Sequence, residues 1–446
     1  MTADSEDFVV VCWEHEHPGW KMLLEVLTDY VNRKRLYPGS GGSYQNIAFS
    51  KRGGNQPVTL RLEDIGVDMD GDDREEVVTD ALNLVRSFIQ DYPEIAANLV
   101  QSLELGDPVV AHTTTETQPP DLVQLTTMIL EEALSRSAKH SRAAPGTQLI
   151  TSSISVLSAL LTVPNIADRV WLYIRSASSL FESDCRSGFA SVALAGERVT
   201  GHYTMTLALL HLVQKLFHEA SSSVLSVPAA KAHLQHVKEE VLLRAARFVH
   251  TEIWVEHMGW KYAQLADRFE IGRRVTSLYA QVIEQAPPTL SNQPFAGLSQ
   301  AMADSWIHKA TTSTIYPLVT SIPTAGSILT ILSASRRTGD ARRLIYLLQS
   351  HLHLARLVLN YKQRSSSSTT LCLLEQAFCA RITGGTVFDA ARSNVDPIDI
   401  LAGYVKARDM GLLVPLKAMH VLYSFCASFS SSQPSPPTII FFLALI

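Results

Sequence analysis

Apolar residues recur at three- and four-residue spacing along most of the chain, the pattern of amphipathic helices. Residues 19–35 (GWKMLLEVLTDYVNRKR) carry Met22, Leu23, Val26, Leu27, Tyr30 and Val31 on one side. Residues 77–90 repeat the pattern until Tyr92 and Pro93 break it. Residues 118–136 begin with prolines, which a helix tolerates in its first turn. They then place Leu122, Leu125, Ile129 and Ala133 on a single stripe. The spacing predicts further helices over 147–163 and 167–181, and two within 189–220 parted near Gly201. The second of that pair is apolar nearly all round, which implies burial against several neighbours. Beyond it, helices are predicted over 231–256, 260–285, 299–310, 328–335, 340–363, 370–380, 398–408 and 412–425.

Breakers divide these runs. Residues 37–57 are rich in Gly and Pro and read as irregular. Val58–Leu62 alternates apolar and polar, which predicts a brief strand. Residues 63–76 hold eight carboxylates and one arginine, an acidic lead-in to a helix from about Glu75, where negative charge complements the positive end of the dipole. Ser365–Thr370 reads as a polar linker. The expected organisation is a first helical segment over 1–36, a Gly-rich and acidic loop region over 37–75, stacked helices over 76–425 and an atypical tail over 426–446. Helix starts recur every 18–28 residues, so a pair takes about 40, the scale of HEAT and armadillo units. No consensus signature repeats, and strands do not alternate with helices as a doubly wound fold requires. The expected fold class is all-α, an irregular α-helical solenoid.

Composition agrees with stacked helices. At 446 residues the chain exceeds the roughly 250–300 residues at which single cores stop growing, whereas a solenoid lengthens in one dimension. Apolar residues make up 46% and charged residues only 18%, below the roughly 25% of a typical soluble domain. Much surface is therefore covered, within the molecule or by partners. The net charge of −5 gives nucleic acid no electrostatic footprint. The basic clusters 33–35, 273–274 and 342–343 are short and scattered, and Arg356 and Lys362 near Tyr346 and Tyr361 fit a helix surface. The five cysteines, Cys12, Cys185, Cys372, Cys379 and Cys426, include no CxxC pair and suit a reduced, intracellular protein. The first twenty residues lack a basic stretch followed by an apolar one, so no secretory signal is read there.

The densest chemistry lies in FVHTEIWVEHMGWKY, residues 248–262. His250 and His257 stand seven apart, on one helix face but about 10 Å apart along the axis, too far to share one ion. A zinc pair needs histidines at i and i+4. The HxE fragment His250–Glu252 has no PCxxC partner. Glu252 and Glu256 share a face, where such carboxylates are ordinarily solvated. The stretch reads as one packed helix, with Leu242, Ala246, Val249 and Ile253 on its stripe and Trp254 and Met258 beside it. The acidic run 63–76 fails the EF-hand spacing, because Gly71 as the sixth position puts Gly66 first and Val77 twelfth. No phosphate loop and no GxSxG elbow occur. No catalytic, cofactor-binding or metal-ligating residue is assigned, and no cofactor is expected.

The tail, CASFSSSQPSPPTIIFFLALI, departs from the rest of the chain. Its apolar end, residues 438–446, is too short to span a bilayer, which takes about 20 residues. No transmembrane segment is expected, and the tail is expected to derive from non-coding sequence in a truncated gene model.

The segments QPVTLRLEDIG, PPDLVQLTTMILEEALSR, GFASVALAGERVTGHYTMTLALL, VLLRAARFVHTEIWVEHMGWKYAQLADRFEIGRRV and GDARRLIYLLQSHLHLARLVLNYKQR resemble the nucleoporin 188 family in its fungal form. The resemblance runs from about Cys12 to about Phe425. The related nucleoporin 192 type, called 205 in animals, stays open as the neighbouring assignment. The resemblance implies a non-enzymatic scaffold subunit of the nuclear pore complex inner ring, in the nucleus at the nuclear envelope. It implies other nucleoporins as partners, among them the linker nucleoporin of the nucleoporin 93 type, with contact to phenylalanine-glycine repeats and a role in nucleocytoplasmic transport. Family members are several times longer, so an internal slice is expected. Two alternatives stand beside it. A transport receptor of the karyopherin type is also a helical solenoid, but strong acidity and regular helix pairs would mark it. An all-α enzyme would gather His250, Glu252, Glu256 and His257 around a pocket.

Overall fold

The computed structural model describes residues 18–36, 71–92, 122–135, 146–163, 166–182, 188–223, 232–285 and 296–365, with 372–374 and 377. Among these residues every regular element is helical. The predicted strand at 58–62, the irregular stretch 37–57, the helices at 398–408 and 412–425 and the tail 426–446 lie outside the described residues. The chain divides into two units, residues 1–180 and 181–446.

The first unit contains α1 (Pro18–Leu36), α2 (Gly71–Asp91), α3 (Leu122–Ser135), α4 (Thr147–Leu160) and α5 (Ala167–Ser176). α1 buries Leu27, Tyr30 and Val31 of its predicted stripe, whereas Met22 is exposed. α2 begins about a turn before Glu75. α4 lies against both α2 and α3, and Leu122, Leu125, Ile129 and Ala133 are all buried. Hydroxyls in this interior bond locally. Thr126, Thr127 and Ser153 each donate to the carbonyl four residues back at 2.8 Å, which satisfies them without a partner helix. Ser152 reaches across to Asn83 Oδ1 at 3.0 Å and ties α4 to α2.

The second unit contains α6 (Ala195–Thr200), α7 (Thr204–Ser223), α8 (Ala232–Phe248), α9 (Leu265–Gln285), α10 (Ala296–Ile307), α11 (Thr312–Ala334) and α12 (Thr338–Ser365). α9 packs on α7, α10 and α12, and α12 also packs on α10 and α11. Stacked helices of uneven length and spacing are what an irregular solenoid requires, and both units are built this way. The pair within 189–220 parts at Gly201 as expected, and α7 buries residues around most of its circumference.

Three boundaries differ from the sequence reading, each for a physical reason. α11 is one continuous helix through Pro317 and Pro323, where the pattern suggested a helix only from 328. Each proline removes one intrahelical hydrogen bond, but Ile315, Leu318, Val319 and Ala325 are buried and hold the segment helical. The helix predicted over 231–256 is α-helical only to Phe248 and widens into a π-turn over Val249–Trp254. The helix predicted from Trp260 starts at Leu265, because Trp260 is extended (ψ 154°) and engaged in another contact. A second π-turn, Phe189–Leu194, leads into α6.

Candidate functional site

Two adjoining polar and aromatic clusters in the second unit hold most of its buried titratable groups. The first joins the loop at Gly201 to the loop at Trp260. α6 ends on Gly201, whose φ of 84° is left-handed. A Cβ there would sit 2.9 Å from the Ala263 nitrogen, so both the turn and the close approach demand glycine. Through that gap Ala263 N–H donates to Gly201 C=O at 2.9 Å. Tyr203 stacks on Trp260 (5.1 Å, 12°) and its hydroxyl donates to Lys261 C=O at 2.7 Å. Tyr262 donates to His257 C=O at 2.8 Å. The Arg198 guanidinium lies 4.9 Å from the centre of the Trp260 ring and donates to Glu252 C=O at 2.9 Å.

Glu197 anchors this joint from below. Its side chain is 2% exposed. It accepts from Met205 N–H (2.6 Å), Thr206 N–H (3.0 Å) and the Thr206 hydroxyl (2.5 Å). These are first-turn donors of α7, which have no intrahelical acceptor. A carboxylate from the preceding helix therefore caps α7. Burial pushes the carboxyl up to about 7, against the pull of those three hydrogen bonds. Burial and the charge of Glu197 in turn push Tyr203 up to about 12.

The second cluster surrounds Trp254. The π-turn brings Trp254, which an α-helical projection leaves beside the apolar stripe, into full burial with Val249 and Ile253. Its indole N–H donates to Thr314 C=O in α11 at 2.7 Å. The ring meets His257, Tyr279, Trp306 and His351 at centroid distances of 5.2 to 6.0 Å. Residues from the π-turn, the 257–259 turn, α9, α10, α11 and α12 thus converge on one indole.

The histidines here are structural in their contacts. His257 Nδ1 donates to Trp254 C=O at 2.7 Å, and a carbonyl only accepts, so Nδ1 carries the proton. His351 Nδ1 pairs with the Ser321 hydroxyl at 2.6 Å. Burial lowers His257 to about 4 and His351 to about 3, so both are neutral near pH 7. His250 lies between the Tyr279 hydroxyl (3.3 Å) and the Thr314 hydroxyl (3.4 Å), and burial lowers it as well. Behind them, a Cβ on Gly272 in α9 would meet Leu347 Cδ1 of α12 at 2.9 Å. This glycine lets the two helices approach closely.

Of the four residues an enzyme reading gathers, His257 is buried, His250 and Glu252 are half-buried and Glu256 is exposed. The structure engages the two histidines with different partners. Among the described residues, no group of three or more His, Cys, Asp or Glu is placed to hold a metal ion, and no helix is long and apolar enough to cross a membrane.

Sequence reasoning passed over Glu197, Tyr203, Ser321 and His351. His351 was within reach, since it falls on the apolar stripe of Leu344, Leu347, Leu348 and Leu352. Glu197 had a weaker signal, a lone carboxylate in the otherwise uncharged run 188–197.

Glu197, Tyr203, Trp254 and His351 each bond to a neighbouring element, which defines an all-α protein of stacked helices tied by buried hydrogen bonds. The family description "Nucleoporin Nup188, N-terminal subdomain III" matches residues 62–387, well over half of the chain. The chain belongs to the Nup188 family of nucleoporins, components of the nuclear pore complex at the nuclear envelope. Nucleoporin nup184 of Schizosaccharomyces pombe is 26% identical over 136 residues, a stretch that is 30% of this chain and 8% of that relative.

Proposed function

We propose that this chain is a scaffold segment of the nuclear pore inner ring and holds other nucleoporins in place, as nucleocytoplasmic transport requires. The observation that carries the reading is the use of buried polarity. Glu197 caps α7, Trp254 ties the π-turn to α11 and His351 ties α12 to α11. Each of these contacts fixes one helix against another, which supports a structural use of the buried polar groups. Stacked helices offer extended surface for partners. The partners that fit the family are other nucleoporins, among them the linker nucleoporin of the nucleoporin 93 type, with phenylalanine-glycine repeats as transient contacts. The region 76–425 is the part proposed for this role.

Affinity capture from nuclear envelopes, through a tag inserted between Gly39 and Gly42, tests the reading. The expected result is recovery of the linker nucleoporin in proportion to the tagged chain. Recovery of soluble transport cargo without any nucleoporin would contradict it.

A further inference from the structure

We propose that the turn between α11 and α12, together with the first three turns of α12, is a docking surface for a carboxylate-rich peptide. The segment RRTGDARR, residues 336–343, gathers four arginines and one aspartate in a chain whose net charge is −5. Asp340 is largely covered and is already engaged. Arg337 approaches it at 2.6 Å and Arg343 at 3.4 Å, while both guanidinium groups remain about half exposed, at 52% and 53%. The shared aspartate thus fixes two arginine forks and leaves their outer edges in solvent. Arg336 and Arg342 are exposed and have no ion-pair partner among the described residues.

Backbone geometry sets the direction of this surface. Arg336 has φ 55°, the left-handed conformation that closes a helix and for which glycine is the common choice. Arg337 N–H donates to Leu332 C=O at 2.9 Å to complete that closure. Arg342 and Tyr346 stand four apart on α12, hence on one face, and Tyr346 is 46% exposed. A guanidinium fork matches the two oxygens of a carboxylate, and arginine and tyrosine are the side chains most enriched where binding energy concentrates. The occupant that fits is an acidic peptide segment with an apolar residue set against Tyr346. A nucleic acid fits less well, because its phosphates would need a longer basic stripe and the rest of the chain supplies none. This inference gives a partner chemistry to the scaffold reading and rests on it for its biological setting. Peptide binding in solution succeeds or fails independently of where the chain resides in the cell.

The test uses the full 446-residue chain and a fluorescein-labelled peptide of glutamates around a central leucine, followed by fluorescence anisotropy. Binding is expected to strengthen as salt is lowered. The double variant Arg336→Glu/Arg342→Glu should weaken it about tenfold or more. Tyr346→Ala should weaken it several-fold, and Lys309→Glu, an exposed charge reversal after α10, should leave it unchanged. All of these positions are exposed, and unchanged circular dichroism would verify folding. The proposal is overturned by absence of binding, by indifference to the double variant, by an equal effect of Lys309→Glu, or by a single-stranded oligonucleotide of the same charge binding more tightly than the peptide.

Discussion

Glu197 accepts both the backbone N–H and the hydroxyl of Thr206, at 3.0 and 2.5 Å, while its other oxygen takes Met205 N–H. One buried side chain on α6 therefore caps the start of α7. Glu197→Ala leaves those donors buried without an acceptor and is expected to cost about 2–4 kcal/mol. Glu197→Gln keeps one acceptor oxygen and should cost about half as much. Urea denaturation followed by tryptophan fluorescence measures both, and equal stability of the alanine variant would remove the capping role.

The same carboxylate and the buried histidines give stability opposite dependences on pH. Glu197 holds its proton more tightly folded, at about 7 against 4.5. Its contribution is complete below about 4.5 and is lost as pH rises through 7, a change of roughly 3 kcal/mol. His257 and His351 are lowered from 6.5 to about 4 and about 3. Their contribution is complete above 6.5 and is lost as pH falls through 4 and then 3. Between about pH 4.5 and 6.5 the slopes therefore oppose each other. Glu197→Gln should make stability rise more steeply with pH across that window, and His351→Asn should make it rise less. Urea midpoints taken at half-unit pH steps would show both changes.

Gly201→Ala tests the joint between the two loops. Alanine is strained at a φ of 84°, and its Cβ meets the Ala263 nitrogen at 2.9 Å. The obstacle is backbone, which does not move aside. A loss of about 2 kcal/mol or more is expected, together with faster amide exchange at Ala263, whose N–H is held by Gly201 C=O.

Gly272→Ala offers a contrasting case. Its new methyl meets Leu347 Cδ1 at 2.9 Å, and the overpacking is expected to cost about 1–3 kcal/mol. The obstacle is the end of a side chain, so removing it should reverse the effect. In a Leu347→Ala background the same substitution should become neutral or stabilising by up to about 1 kcal/mol, through helix propensity. A double-mutant cycle by urea denaturation reads this coupling directly.

How much of this was legible depended on how local the cause was. Leu122, Leu125, Ile129 and Ala133 marked a buried stripe by spacing alone, because a helix maps spacing onto a face. Gly201 marked a helix end because glycine's freedom is a property of the residue itself. Pro317 misled, since burial of Ile315, Leu318 and Val319 outweighs one missing hydrogen bond. The π-turns were invisible because a single inserted residue leaves the apolar periodicity nearly intact, although it moves Trp254 from the flank of the stripe to its centre. The joint itself could not be read. Tyr203 meets the backbone of Lys261 58 residues away, and Trp254 meets Thr314 60 residues away. Such pairs exist only once the helices have packed.

The central claim, that the chain is a scaffold segment of the nuclear pore, is tested most directly by its position in the cell. A fluorescent tag inserted between Gly39 and Gly42 in the native gene reports on the protein without relying on either terminus. A punctate nuclear rim that coincides with another inner-ring nucleoporin is the predicted result. A diffuse signal from a product of the expected size would contradict it.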